Sequence, residues 1–223
     1  MNEFWSTTFF TEPSKYDSTV KEFIKTIEFM KEMGGTIITV GEFGNSVHLT
    51  DNHSPILDTP KFTEEQWEML AKGLNEMGEL ASKDGITLCF HHHLGTGVMK
   101  RDEIDKIMKI TNPKFVKLLL DTGHCYAAGV DTVQVIKDYK DRIAHVHLKN
   151  IRDENLKKAI STKSTFFQQV KDGMFSAPGD ETGSMNFDDI FQELANVSYK
   201  GKENFSFLFD SILIVFFYRM ACC

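Results

Sequence analysis

The sequence is short of cysteine, of positive charge and of any long uninterrupted apolar run, and each shortage removes a class of function. Its four cysteines (Cys89, Cys125, Cys222 and Cys223) have no framework spacing, and two of them are the last residues of the chain. That pattern excludes a disulfide-stapled scaffold and points to a reducing, cytoplasmic setting. Lysine and arginine total 25 against 32 acidic residues, a formal net charge of −7, which excludes a basic footprint for nucleic acid or a polybasic membrane surface. Met1-Asn-Glu-Phe-Trp5 has neither the basic region nor the apolar region of a signal peptide. The most apolar stretch, 205–218, is shorter than the ~20 residues needed to cross a bilayer, and Asp210 interrupts it. It reads as a divergent hydrophobic tail and not as a membrane span. What is left, 41% hydrophobic and 26% charged over 223 residues, suits a globular domain that buries a core without staples.

Within residues 1–201 the chain alternates between two periods. Gly35–Gly41, Ile86–Phe90, Phe115–Leu120 and Ile143–His147 are short, apolar or β-branched runs bounded by polar residues or glycine, as parallel strands covered on both faces are. Between them lie helical patterns. Val20, Phe23, Ile24, Ile27 and Met30 precede the stop signal Gly34, and Thr63 with Gln66 forms a capping box ahead of Trp67, Leu70, Ala71, Leu74 and Met77. Ile104, Ile107 and Met108 mark a third helix, and Phe187, Ile190, Phe191 and Leu194 another. Strand starts at 86, 115 and 143 are 29 and 28 residues apart, close to the ~30 residues of one strand plus one crossover helix. The alternation predicts an α/β fold with a parallel sheet, doubly wound or closed into a barrel. Segments 43–62 and 150–182 break the rhythm; loops that long in a compact domain are functional or disordered.

Six of the eight histidines (His91, His92, His93, His124, His145 and His147) fall at or just past the ends of three predicted strands. Period two puts His91 and His93 on one face, His92 on the other, and His145 with His147. Asp121 ends the strand Leu118-Leu-Leu120, and Glu42 ends the one at Val40-Gly41. Imidazole and carboxylate groups converging on the C-terminal ends of parallel strands suit a divalent transition metal such as Mn²⁺, Co²⁺ or Zn²⁺. His48 and His53, in the polar loop, read as surface residues. Asp121-Thr-Gly123 matches the aspartic-protease tripeptide, but the chain has no second copy to share a proton with it. Gly95-Thr-Gly97 lacks the third glycine of a dinucleotide fingerprint.

The motifs His91-His-His-Leu-Gly-Thr-Gly-Val98, Leu120-Asp-Thr-Gly-His124, His145-Val-His-Leu-Lys149 and Ala177-Pro-Gly-Asp180 resemble those of the myo-inosose dehydratases, xylose-isomerase-like TIM barrels of inositol catabolism. The resemblance runs from about Trp5 to Gly201. It implies a cytoplasmic lyase that removes water from 2-keto-myo-inositol to give a trihydroxycyclohexane-dione, with Mn²⁺ or Co²⁺ as cofactor. Carried over by motif, Asp121, His147 and His91 are metal ligands. His124 and Glu42 are the acid–base candidates in an unassigned order, and His93 and Lys149 face the substrate. A sugar isomerase or epimerase of the same superfamily is the alternative, using the same enediolate chemistry but returning the proton to carbon. The other alternative is a degenerate fragment without catalysis.

A (β/α)8 barrel takes eight strands and typically ~250 residues. Only one strand fits before Gly35, around Glu3 to Phe10, so the expectation is an incomplete barrel over 1–201 without its first two βα units. The resemblance stops at Tyr199-Lys-Gly201, where the family's last strand brings a further glutamate ligand; residues 202–223 read as a change of reading frame or a translated intron. These departures predict impaired activity for the chain as written.

Overall fold

The computed structural model describes residues 3–204, and the features noted at 205–218, Asp210, Cys222 and Cys223 lie outside them. In chain order the elements are β1 (Glu3–Thr8), a 3-10 turn (Pro13–Lys15), α1 (Tyr16–Glu32), β2 (Ile37–Glu42), α2 (Glu64–Ser82), β3 (Thr87–His91), α3 (Arg101–Ile110) and β4 (Val116–Asp121). They continue with α4 (Thr122–Ala127), α5 (Thr132–Tyr139), β5 (Ile143–His147), β6 (Asn150–Ile151), α6 (Asp153–Thr162), α7 (Phe166–Lys171), β7 (Phe175–Ser176), α8 (Phe187–Asn196) and β8 (Lys202–Asn204). β1, β2, β3, β4, β5 and β8 pair in that order, each parallel to its neighbour.

The local chemistry explains where the long helices begin and end. Thr63 accepts from Gln66 N while Gln66 reaches back to Thr63 N, so the capping box satisfies two orphan donors at the start of α2. α1 stops at Gly34, whose φ of +64° lets Gly35 N and Gly34 N turn back onto the carbonyls of Met30 and Lys31. The short α4, α5 and α7 lack enough residues to show a period. Each is instead marked by its cap, Asp121, Asp131 and Thr165, which accept from the backbone three residues on.

Period two divides the sheet into two chemistries. Ile38, Val40, Leu88, Phe90, Leu118 and Leu120 point outward and pack with Phe23, Leu70, Leu74 and Ile104 of the helices in the main core. On the inner face a small apolar floor of Ile37, Cys89 and Leu119 lies beneath polar residues. The sheet is strongly curled. In a flat sheet β1 and β5, four spacings apart, would be about 19 Å from each other; here Glu3 of β1 reaches His145 and His147 of β5 at 3.0 Å each. This is the curvature of a barrel wall, with the polar inner residues converging at its centre.

Segment 150–182 is ordered. β6 and β7 pair antiparallel, and Arg152 ties the segment together, donating to the carbonyls of Gly173 and Phe175, to Thr182 and to the Asp180 carboxylate. Its apolar residues Ile151, Ala159, Phe166, Met174 and Phe175 pack with Leu94, Met99 and Ala127 in a second core over the strand ends. Segment 43–62 lies against the same end through Val47 N and Ser46 Oγ, both donating to Gly95 O.

Removing the α2 cap tests this account of the helix start. Thr63→Ala is expected to lower the unfolding free energy by about 1 kcal/mol, read as a shifted urea midpoint at unchanged slope, with Thr63→Ser close to the parent.

Candidate functional site

His91, Asp121 and His147 are the last residues of β3, β4 and β5, and the parallel register sets Asp121 beside His147 and His91 beside Leu119. His92, one residue on from His91, points the other way. Its Nε2 accepts from Asp121 N–H at 3.3 Å and lies 3.6 Å from Cys125 Sγ. Burial lowers His92 to about 3, so it is a neutral brace behind the site.

The Asp121 carboxylate, fully buried, is the hub. As N-cap of α4 it accepts from His124 N–H at Oδ1, 3.0 Å. Around Oδ2 stand Lys149 Nζ at 2.6 Å, His91 Nε2 at 3.3 Å, His147 Nδ1 at 3.7 Å and His124 Nε2 at 3.9 Å. Burial works against the charged carboxylate, but the Lys149 ammonium, His124, His147 and the hydrogen bond from His91 outweigh it and hold Asp121 well below the usual range. Lys149 is brought in by Thr122, whose Oγ1 donates to Lys149 O at 2.7 Å and accepts from Lys149 N at 2.9 Å. Gly123 makes that approach possible, because a Cβ there would meet Lys149 Cβ at 2.8 Å. The tripeptide that imitates a protease motif is thus a strand-to-helix turn built around one carboxylate.

His93 borders the group. Its Nδ1 donates to Leu94 O at 2.9 Å, and its ring centroid is 3.8 Å from that of His124 and 5.3 Å from that of His91. Burial lowers both His93 and His124 well below the ordinary imidazole value, leaving them neutral. Burial alone would also lower His147, but the neighbouring Asp121 carboxylate and the hydrogen bond with Glu3 carry it above that value. The structure therefore brings His91, His93, Asp121, His124, His147 and Lys149 together. Glu42 does not join them. Its carboxylate accepts from Thr8 Oγ1, Phe10 N, Thr11 N and Thr11 Oγ1, four bonds that tie β1 and its following turn to β2, and from Gly44 N just beyond β2; burial raises its pKa.

The structure also departs from the sequence reading at His48. His48, read from the sequence as a surface residue, is 2% exposed; its ring packs on Phe166 and His93 at 4.0 and 4.4 Å, because segment 43–62 folds inward over the strand ends. Two contributors carried no such signal. Phe166, from a segment that reads as charged loop and helix, covers His48, His93 and His124. Glu3 lies on β1 two residues before Trp5, whose ring is 5.4 Å from that of His91; period two places Glu3 on the inner face, but its contact with β5 needs the curl of the sheet.

The donor set fits a divalent metal. Among the described residues two groups of three offer ligand atoms within 4.8 Å of one another: His91, Asp121 and His124, all buried, and beside them Glu3, His145 and His147. Nδ1 of His91 and of His124 is buried without a hydrogen-bond partner among the described residues, a capacity that a ligand would use. Imidazoles with one carboxylate suit borderline ions of the first transition row.

Comparison with known proteins agrees with this geometry. The xylose isomerase-like TIM barrel family model matches residues 7–202. Inosose dehydratase 1 of Bacillus cereus is 43% identical over 197 residues, which cover 88% of this chain and 65% of that protein; the chain spans just under two thirds of this relative's length. The IolI protein, solved with a bound zinc atom, superposes with a TM-score of 0.67 at 17% identity over 91% of this chain and 65% of that one. AsbF of Bacillus anthracis, a probable 3-DHS dehydratase, also gives 0.67, at 14% identity over 93% and 70%. These two likenesses are of fold.

Two measurements test the electrostatics of the site. In chelated protein Lys149→Met strips Asp121 of its nearest cation and is expected to cost about 3–5 kcal/mol of stability. The Asp121→Asn, Lys149→Met double variant should lose less than the sum of the single changes. The second is acid sensitivity. Burial lowers His48 from 6.5 to about 3 in the folded chain, so its contribution is intact above 6.5 and is lost as pH falls from there towards about 3, at up to about 1.4 kcal/mol per pH unit. The urea midpoint should drop between about pH 7 and pH 5, and less steeply in His48→Phe.

Proposed function

The chain belongs to the xylose isomerase-like TIM barrel family, and from that premise we propose that it is a metal-dependent carbon–oxygen lyase acting on a keto-inositol in the cytoplasm, as a step of inositol breakdown. The observation that carries the reading is the Asp121 carboxylate at the ends of three parallel strands, ringed within 4 Å by three imidazoles and the Lys149 ammonium. The 43% identity to inosose dehydratase 1 supports the dehydratase over other chemistries of the fold.

Residues His91, Asp121 and His147 would hold the divalent ion, Mn²⁺ or Co²⁺. When bound it supplies Lewis-acid stabilisation of negative charge on the ketone oxygen of the substrate. The protein groups do the rest. His124, neutral through burial and with Nδ1 unpartnered, accepts the proton from the carbon next to the ketone and returns it to the departing β-hydroxyl, so that water leaves and the enol relaxes to the dione. His93 donates through Nδ1 to Leu94 O, which leaves its Nε2 lone pair to accept from a substrate hydroxyl. The Lys149 ammonium, buried at 7% exposure, donates to a substrate oxygen and balances developing negative charge. We assign Glu42 to holding the β1–β2 rim, since its carboxylate is taken up by Thr8, Phe10, Thr11 and Gly44. Phe166 and Phe175 over His124 exclude water from the proton transfer.

The test is dione formation from 2-keto-myo-inositol with Mn²⁺ or Co²⁺, followed with metal content. Asp121→Ala and His147→Ala should weaken metal binding by at least about 10–100-fold, with the exposed Lys25→Ala unchanged. His124→Asn should keep its metal and lose about 10²–10⁴ in kcat. A product that retains every hydroxyl with altered configuration would replace the dehydratase with an epimerase.

A further inference from the structure

Glu3 has no place in the proposed reaction, yet it makes the longest reach in the site. Its Oε1 is 3.0 Å from His147 Nε2, and its Oε2 is 3.0 Å from His145 Nε2. Thr39 Oγ1 donates to the same carboxylate from β2. Both oxygens are therefore engaged, and the group is fixed between two successive inner-face residues of β5. The imidazoles are almost wholly buried, and the carboxylate is 16% exposed.

We propose that Glu3 is a positioning residue: by accepting from His147 Nε2 it fixes the ring with Nδ1 on the Asp121 side. In these contacts the carboxylate oxygens accept and the facing Nε2 atoms of His145 and His147 donate. His147 Nδ1 is the atom on the Asp121 side, 3.7 Å from Oδ2. A histidine that offers one nitrogen to a metal while donating its other N–H to a carboxylate is oriented and made more basic. Here the orienting carboxylate comes from four strands away, so the curl of the sheet that permits the contact also sets the face of the ligand. His145 holds the second oxygen and keeps the carboxylate from rotating.

This inference rests on His147 being a ligand of the Asp121 centre, and two readouts separate its failure from the failure of that reading. The first is the ¹⁵N spectrum of the histidines in the metal-free chain, which distinguishes a protonated from an unprotonated ring nitrogen. Wild type should show hydrogen on His147 Nε2, and Glu3→Gln should shift that nitrogen's resonance. The second is the Kd for Co²⁺ by titration. Glu3→Gln should weaken it about 10–100-fold while circular dichroism stays that of wild type, and His145→Asn, which leaves the His147 contact in place, should weaken it less. A wild-type His147 with no hydrogen on Nε2, or a Glu3→Gln chain with unchanged ¹⁵N shifts and unchanged Kd, would overturn the proposal. Should wild type bind no Co²⁺ through Asp121, the metal reading fails and the ¹⁵N result still decides the role of Glu3.

Discussion

A carboxylate buried at the ends of parallel strands is the constraint on which the rest of this structure depends. Asp121 is cut off from water, and taking one anion out of water costs several kcal/mol unless donors replace the solvent. Those donors come from every neighbouring element. His124 N–H caps one oxygen from α4, while Lys149 and the rings of His91 and His147 approach the other from the end of β3 and from β5 and the turn after it. The strand register, the Thr122–Lys149 clip and the absence of a side chain at Gly123 all serve that convergence. Behind it, His92 accepts the Asp121 N–H and fixes the backbone from the other face of the sheet.

A second layer keeps the cluster dry. Segments 43–62 and 150–182 lack the strand–helix rhythm, and they fold over the strand ends with Phe166 against His48 and His93. Three of the imidazoles are neutral because of that cover: burial lowers His48, His93 and His124 alike. Neutral histidines beside an ionised aspartate make a site that can bind a cation and accept protons, which is the pairing a dehydration at carbon needs. Glu42 shows the contrasting use of a buried carboxylate. Its oxygens are filled by hydroxyl and backbone donors, so it ties two strands together and offers nothing to the cluster.

Much of this was legible along the chain. The β2–β5 strands were placed by apolar runs because parallel strands covered by helices must be apolar on one face and close to it on the other, and the α2 start was announced by Thr63 and Gln66. The parity of His91, His92 and His93 followed from period two alone, and so did the pairing of His145 with His147. The motifs around Asp121 carried the family. The sequence, then, determined the fold class, the ends of the long helices and which strand ends bear chemistry, because these depend on residues within a turn or two of each other. Only the tertiary structure decided that His48 is buried, that Glu42 is spent on β1 and its following turn, that Phe166 covers the histidines and that Glu3 reaches His147. Each of those contacts spans from 31 to 144 residues of chain, and closure over such distances is set by sheet curvature and loop packing, to which no local pattern responds.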